Sequence, residues 1–169
     1  MSKKKKQKDT ATQIVAVVLF MVYLAILLYL LFLSDRYGRT TGFTEYHYNL
    51  KPFGEIRRYI LHRESFNTEL FLVNIVGNVV AFMPFGFLLP LTSKNLQGFF
   101  DVVAIGFLFS LLVETMQLLL MVGTFDVDDL ILNVSGVMLG YACYALIYRR
   151  TKEGNKKPER KSKPKESGK

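Results

Sequence analysis

The chain has few of the residues that build disulfide frameworks and transition-metal centres. Among its 169 residues are one cysteine, Cys143, and two histidines, His47 and His62. A single cysteine excludes an intrachain disulfide and a cysteine-based metal site, and neither histidine has a further ligand at metal-binding spacing. We therefore expect Cys143 to be a small core residue, both histidines to be solvated or interfacial, and the protein to use no cofactor.

Charged residues are absent from three long apolar stretches, and a fourth holds only Glu114, although the sequence carries 22 basic and 14 acidic residues. Half of the residues are hydrophobic and the mean hydropathy is positive, a combination that is rare in a soluble domain of this size. Each stretch has about 19 to 22 residues, the length that a helix needs to cross a bilayer. The stretches are Ile14–Leu33, Leu70–Leu91, Val102–Val122 and Leu130–Tyr148. We predict an all-α integral membrane protein, a bundle of four transmembrane helices with a long outer loop after the first helix.

Basic residues are concentrated in the two tails. Five lysines precede the first apolar stretch and ten basic residues follow Tyr148, whereas the turn 123–129 has three aspartates and no lysine or arginine. Because lysine and arginine are retained on the cytoplasmic side, we predict a multi-pass protein of the cell membrane with both termini cytoplasmic. The first stretch is too long for a signal peptide and is expected to remain as an anchor. The domains are a basic tail (1–13), a four-helix membrane domain (14–148) and a basic, disordered tail (149–169).

Lysine-rich tails also occur in nucleic-acid-binding proteins. No aromatic residue interleaves the basic residues beyond Tyr148, so a platform for stacking bases is missing. Basic flanks orient membrane helices and contact anionic headgroups, at about 1 kcal/mol per residue. We therefore expect membrane lipids, and no nucleic acid, as the partners of the tails.

Polar residues recur at helical spacing within three of the four apolar stretches. Steps of three and four residues place each set on one helix face. Polar groups inside a bilayer face a bundle interior or a wet cavity, because their exposure to hydrocarbon is costly. With both termini cytoplasmic, the three sets lie at one outer depth. We predict a polar pocket open to the outer leaflet, lined by Asn74, Asn78, Glu114, Gln117, Asp126, Asp128, Asp129 and Asn133.

Six of the eight pocket residues also have a structural interpretation. Asn74 and Asn78 are able to form interhelical hydrogen bonds, and Asp129 is the best candidate for the N-cap of the fourth helix. The three aspartates exceed what capping needs, and a cation held by Asp126, Asp128 and Asp129 is a weak alternative to the expected absence of a metal. Glu114 lies in an apolar run and must be protonated, paired or hydrated, which suits a structural network and a proton-handling group equally.

Small residues and proline predict close helix packing and a kink in the second helix. The residues concerned are Gly77, Ala81, Pro84, Gly136 and Gly140. In the long loop, Ile56, Tyr59 and Ile60 recur at spacings of three and four residues, a pattern that predicts a short amphipathic helix on the membrane surface. Such a helix would cover the mouth of the pocket.

The chain resembles the VanZ-like family of small bacterial membrane proteins over about residues 14–148. The resemblance rests on the order and spacing of several motifs, namely Asn49-Leu50-x-Pro52-Phe53, Asn74-x-x-x-Asn78, Phe82-x-Pro84-x-Gly86, Glu114-x-x-Gln117 and Phe125-Asp126-x-Asp128-Asp129-x-x-x-Asn133-x-x-Gly136. Many members carry an arginine just before the acidic motif, where this chain has Gly123-Thr124, so this chain either functions without that arginine or uses Arg57, Arg58 or Arg63 in its place. The resemblance implies lowered susceptibility to teicoplanin, a lipid-bearing glycopeptide antibiotic, and implies no established catalytic residue.

Three functions remain compatible with the sequence. The first, which we favour, is a non-enzymatic envelope protein that binds a lipid headgroup, a lipid-linked wall precursor or the antibiotic in the pocket. The second is a membrane-embedded enzyme acting on a lipid-linked envelope substrate, with Glu114, Asp128 and Asp129 as catalytic candidates and the aspartates holding a metal or water. The third is a small transporter or a partner in a membrane complex. A transporter of four helices would need a homo-oligomer, for which Gly136 and Gly140 are candidate contacts.

Overall fold

Four helices and two very short strands make up the described part of the chain. The computed structural model describes residues 3–33, 46–54, 57, 61 and 72–154. In chain order the elements are α1 (Lys3–Phe32), β1 (Tyr48–Asn49), a π-helical turn (Leu72–Val76), α2 (Gly77–Thr92), a 3-10 turn (Lys94–Leu96), α3 (Phe99–Leu119), β2 (Phe125–Asp126) and α4 (Val127–Gly154).

All four helices of the described part are long and apolar enough to cross a membrane, as the sequence predicted. The spans are Thr10–Phe32, Asn74–Thr92, Phe99–Leu119 and Val127–Tyr148. The long outer loop after α1 lies mostly outside the described residues and stays a prediction. The fourth helix begins at Val127 and not at Leu130, because carboxylates are favoured among the unpaired N–H groups of a first turn and hydropathy does not register such a turn.

Glycines allow α2 and α4 to pack with their backbones in contact. A Cβ atom on Gly140 would lie 1.9 Å from the carbonyl oxygen of Met83, and one on Gly86 would lie 1.9 Å from the carbonyl oxygen of Val137. Gly136 faces the Val79 carbonyl in the same way, at 2.3 Å. Gly136 and Gly140 are therefore buried against α2 within one chain, and the homo-oligomer that the sequence suggested cannot form through them.

Helix α1 completes the bundle by packing against α2. The Tyr23 hydroxyl donates a hydrogen bond to the Ala81 carbonyl at 2.8 Å, and the Phe20 ring meets the Phe85 ring edge-on at 5.3 Å between centroids. Pro84 lies inside α2, where its ring removes one backbone donor. The buried apolar core comprises Leu27, Phe82, Phe85, Leu89, Val102 and Val137.

Cys143 is exposed on the surface of α4, so the expectation of a core position is wrong. The reason is that the surface of a membrane span faces lipid and not water. Lipid chains are as apolar as a protein core, so a membrane span gains no hydrophobic free energy by turning a small apolar side chain inward.

Hydrogen bonds identify the two ends of the bundle. At one end, Gln117 near the end of α3 donates to the carbonyl of Leu31 near the end of α1, at 3.1 Å. At the other end, the Tyr141 hydroxyl of α4 donates to the carbonyl of Gln97, between α2 and α3, at 2.9 Å. We call the first end, which also holds β1 and β2, the strand end. The opposite end is the tail end, because α1 begins there and α4 ends there.

The connection from α3 to β2 starts with a tight helix cap. The Val122 N–H donates to the Gln117 carbonyl and the Met121 N–H donates to the Leu118 carbonyl, each at 3.1 Å, which is the Schellman pattern. Met121 has a φ of 52°, a left-handed conformation that usually takes glycine. Its surroundings must therefore hold this turn in place, and the turn directs the chain into β2.

Candidate functional site

Two distant connections meet at the strand end. Strands β1 and β2 pair in parallel, with Tyr48 opposite Phe125 and Asn49 opposite Asp126, and the Phe125 N–H donates to the His47 carbonyl at 3.1 Å. This pairing was not predicted, because strands of two residues leave no periodic signal in a sequence. It joins the Asn49-Leu50-x-Pro52-Phe53 motif directly to the acidic motif.

Asp126 caps α4 and also holds the first connection. Its Oδ1 accepts the Asp128 N–H at 2.8 Å, which is N-cap geometry, and both its carboxylate oxygens lie 3.3 Å from the amide nitrogen of Asn49. The capping residue is therefore Asp126, and the assignment of that role to Asp129 is wrong. The helix starts earlier than the apolar run, so the cap also lies earlier in the chain.

Asp128 is buried, with 1% of its surface exposed, and it accepts the backbone N–H of Phe53. A carboxylate removed from water needs hydrogen bonds to offset the cost of its burial. Phe53 has a φ of 60°, the left-handed region that bulky residues rarely adopt. The bond to Asp128 thus supports a strained turn in the first connection.

Asp129 links α4 to α2, and Glu114 links α3 to the start of α4. The amide nitrogen of Asn78 donates to Asp129 Oδ1 at 2.6 Å. Glu114 is 3% exposed, and its Oε2 accepts the Asp126 N–H at 3.2 Å. No carboxylate among Glu114, Asp126, Asp128 and Asp129 is without a partner. Side chains from three helices and both connections thus converge on one small region, which we call the acidic cluster.

A second polar contact lies one helical turn farther from the strand end. The amide nitrogen of Asn133 donates to the Ser110 hydroxyl at 2.9 Å, and both residues are buried. The other amide atom, Oδ1 of Asn133, is the only buried side-chain polar atom without a hydrogen-bond partner in the described part of the chain. Leaving such an atom unpaired costs about 1–3 kcal/mol. An unpaired buried acceptor of this kind calls for an explanation, and a functional site supplies one.

Two other predicted pocket residues lie on α3 and just before α2. The Gln117 side chain donates a hydrogen bond to the Leu31 carbonyl of α1. Asn74 lies in the π-helical turn before α2, where it also has a partner. Sequence reasoning did not assign a site role to Asn49, to Ser110 or to the Phe53 N–H. Asn49 and Phe53 were visible as a motif, and Ser110 lies on the same helix face as Glu114.

The three aspartates contact three different partners, namely Asn49, the Phe53 N–H and Asn78. Across residues 3–33, 46–54, 57, 61 and 72–154, no group of three His, Cys, Asp or Glu side chains is arranged to hold a metal ion. A cation held by the aspartates therefore gains no support from the geometry. Arg57 is exposed, whereas Arg58, Arg63, His62 and the predicted amphipathic helix with Ile56, Tyr59 and Ile60 lie outside the described residues.

We expect cysteines placed at positions 78 and 114 to crosslink with a short reagent in a variant that lacks Cys143. Asn78 and Glu114 both bond to the segment 126–129, so their helices must approach each other there. The measurement is the electrophoretic shift of the crosslinked protein after proteolytic cleavage between α2 and α3.

A pair at positions 78 and 129 is the positive control, because Asn78 and Asp129 are in direct contact. A pair at positions 78 and 108 is the negative control, because Leu108 is exposed on α3. Crosslinking of the first control without any crosslinking of the 78/114 pair would contradict a shared network.

The comparisons with known proteins agree with the motifs. A model of the VanZ/LLP1 family matches residues 20–148. Protein VanZ from Enterococcus faecium is 31% identical over an alignment of 131 residues, and the alignment covers 76% of this chain and 72% of that protein. No solved structure matches the chain. The matched segment includes the acidic cluster and the Ser110–Asn133 pair, and the chain belongs to the VanZ/LLP1 family.

Proposed function

We propose that this protein is a cell-envelope membrane protein that lowers susceptibility to lipid-bearing glycopeptides such as teicoplanin. In this proposal the strand end faces the exterior and binds a lipid headgroup, a lipid-linked wall precursor or the antibiotic itself, without covalent chemistry. The observation that carries the proposal is the convergence of polar groups from three helices and two connections at one end of a membrane bundle. Polar groups at membrane depth are expensive and are typical of functional sites.

The orientation follows from the distribution of charge between the two ends. Both basic tails leave the bundle at the tail end, and the carboxylates gather at the strand end. Lysine and arginine near helix ends are retained in the cytoplasm. The strand end would then face the outer leaflet, where lipid-linked wall precursors and glycopeptides meet.

Binding suits the carboxylates better than catalysis does. Glu114 accepts a backbone N–H, and Asp126 and Asp128 do the same, so each has a structural partner in place. A general acid or base must instead exchange its proton with the substrate. Among the described residues, the buried side-chain acceptor without a partner is the amide oxygen of Asn133, which offers a hydrogen bond and no proton chemistry.

The test is expression in a teicoplanin-sensitive strain. We expect a severalfold rise in the inhibitory concentration of teicoplanin relative to empty vector, and a smaller rise for a glycopeptide without a lipid chain. The Asp101→Asn variant should protect as well as the parent protein, because Asp101 is an exposed carboxylate on α3 near the tail end. An unchanged inhibitory concentration, with the protein present in the membrane at control levels, would overturn the proposal.

Reporter fusions are expected to place both termini in the cytoplasm and the strand end outside. The reason is that the two tails carry fifteen basic residues, whereas the turn 123–129 carries none. A periplasm-type reporter should be inactive at Lys5, Asn95 and Arg160 and active at Leu50 and Asp126. Activity of that reporter at either terminus would contradict the orientation.

A further inference from the structure

The turn that follows β1 exposes several apolar side chains together. Tyr48 is 66% exposed, Leu50 is 60% exposed and Phe53 is 57% exposed. Isolated exposed apolar residues are ordinary, but a contiguous group of them marks a surface that contacts something apolar. We call residues 48–53 the interfacial turn.

The depth of the interfacial turn follows from its bonds to α4. The Phe53 N–H is bonded to the carboxylate of Asp128, and the Asn49 side chain is bonded to Asp126. The membrane span of α4 begins at Val127, between these two aspartates. The backbone of the turn is therefore level with the first turn of a membrane span, which is the boundary between headgroups and acyl chains.

The side chains beside the turn fit a phospholipid surface. Lys51 and Arg57 are exposed next to Leu50 and Phe53, and the Arg57 N–H donates to the Phe53 carbonyl at 2.9 Å. Basic groups pair with lipid phosphates, and aromatic rings prefer the headgroup level. Charge and depth together favour lipid over water or a protein as the occupant.

The conformation of the turn depends on Asp128. A left-handed φ is sterically unfavourable for a residue such as phenylalanine, so Phe53 adopts it only where the surroundings hold it there. The hydrogen bond from the Phe53 N–H to the Asp128 carboxylate, at the buried start of α4, stabilises this conformation. Without this acceptor the turn would relax to a negative φ and the Phe53 ring would change direction.

We propose that the interfacial turn inserts into the headgroup region of the surrounding phospholipid, and that Asp128 is the positioning residue that presents Phe53 to it. This inference goes beyond the proposed function, because it requires no antibiotic or wall precursor. It also gives the Asn49-Leu50-x-Pro52-Phe53 motif a role: Asn49 and Phe53 attach the turn to the acidic motif, and Leu50 and Phe53 enter the lipid.

The experiment uses tryptophan fluorescence, since the chain contains no tryptophan. Full-length Phe53→Trp protein is reconstituted into vesicles of phosphatidylcholine and phosphatidylglycerol that contain phosphatidylcholine brominated either near the headgroup or near the chain ends. We expect blue-shifted emission, stronger quenching by the shallow bromines and little quenching by aqueous iodide. Leu108→Trp, exposed in the middle of α3, is the control that the deep bromines should quench more strongly.

The role of Asp128 is tested by two substitutions in the Phe53→Trp protein. Asp128→Asn keeps an acceptor oxygen and should preserve the shallow quenching, whereas Asp128→Ala removes the acceptor and should reduce it at least twofold. Leu50→Trp serves as a second reporter if Phe53→Trp fails to fold. Red-shifted emission that iodide quenches would overturn lipid insertion, and equal quenching in the Asn and Ala variants would overturn the role of Asp128. Both readouts are independent of teicoplanin susceptibility, so they can succeed where the proposed function fails.

Discussion

Replacing Gly140 with leucine is expected to remove most of the folded protein from the membrane. Even the first side-chain atom at this position would lie 1.9 Å from the Met83 carbonyl oxygen and 2.8 Å from its carbonyl carbon. These are backbone atoms of α2, so no rotamer change relieves the overlap and the two helices must separate. Overpacking of this kind costs about 3 kcal/mol or more. Separation would also break the Asn78–Asp129 bond between the same helices.

The measurement is membrane abundance in cells, together with thermal unfolding of the purified protein in detergent. Gly123→Ala is the matched control, because a Cβ at Gly123 would meet its nearest neighbour, the Cβ of Gln117, at 3.5 Å, an ordinary contact. The control should keep the abundance and unfolding temperature of the parent protein. Normal abundance and an unchanged unfolding temperature for Gly140→Leu would show that α2 and α4 do not pack through this glycine.

Conversion of the acidic-cluster carboxylates to amides is expected to weaken teicoplanin protection in graded steps. Asp128→Asn and Asp129→Asn keep an oxygen that accepts the Phe53 N–H and the Asn78 amide, so most of the protection should remain. Glu114→Gln should lose the most. Its amide retains the hydrogen bond to the Asp126 N–H but replaces a buried carboxyl group, the one that α3 contributes to the acidic cluster. The measurement is the inhibitory concentration of teicoplanin at matched membrane abundance.

This series separates binding from catalysis. An acid or base catalyst fails when its ionisable oxygen becomes an amide, because the shape is kept and the proton chemistry is lost. Complete loss of protection in Glu114→Gln, Asp128→Asn and Asp129→Asn, with all three at parental abundance, would make the membrane-embedded enzyme the leading function. Asp101→Asn, a carboxylate-to-amide change near the tail end, should behave like the parent protein in every assay.

The hydrogen bonds suggest why the acidic motif and the first connection carry their polar residues together. Asp126 and Asp128 hold Asn49 and the Phe53 N–H, while Asp129 and Glu114 attach the same segment to α2 and α3. The main structural role of the acidic cluster is therefore to connect α2, α3, α4 and the first connection at the strand end. A buried acceptor that takes no part in these bonds lies one turn deeper, at Asn133 Oδ1.

Local sequence information determined the four spans, because hydropathy over about 20 residues records the thickness of the bilayer and needs no knowledge of tertiary contacts. Helical spacing also placed Glu114 and Asn133 on polar helix faces, and the order of the motifs indicated the family that the comparisons confirm. Helical spacing identifies the residues that share one helix face, but it does not identify the residues that this face contacts.

Tertiary structure alone decided which groups meet. The Phe53 N–H and Asp128 are 75 residues apart in the chain, and Asn49 and Asp126 are 77 apart, so no local pattern records either bond. The same limit explains the errors over Cys143 and the N-cap. Hydropathy treats a core and a lipid surface alike, and only the backbone geometry of α4 shows where its first turn begins.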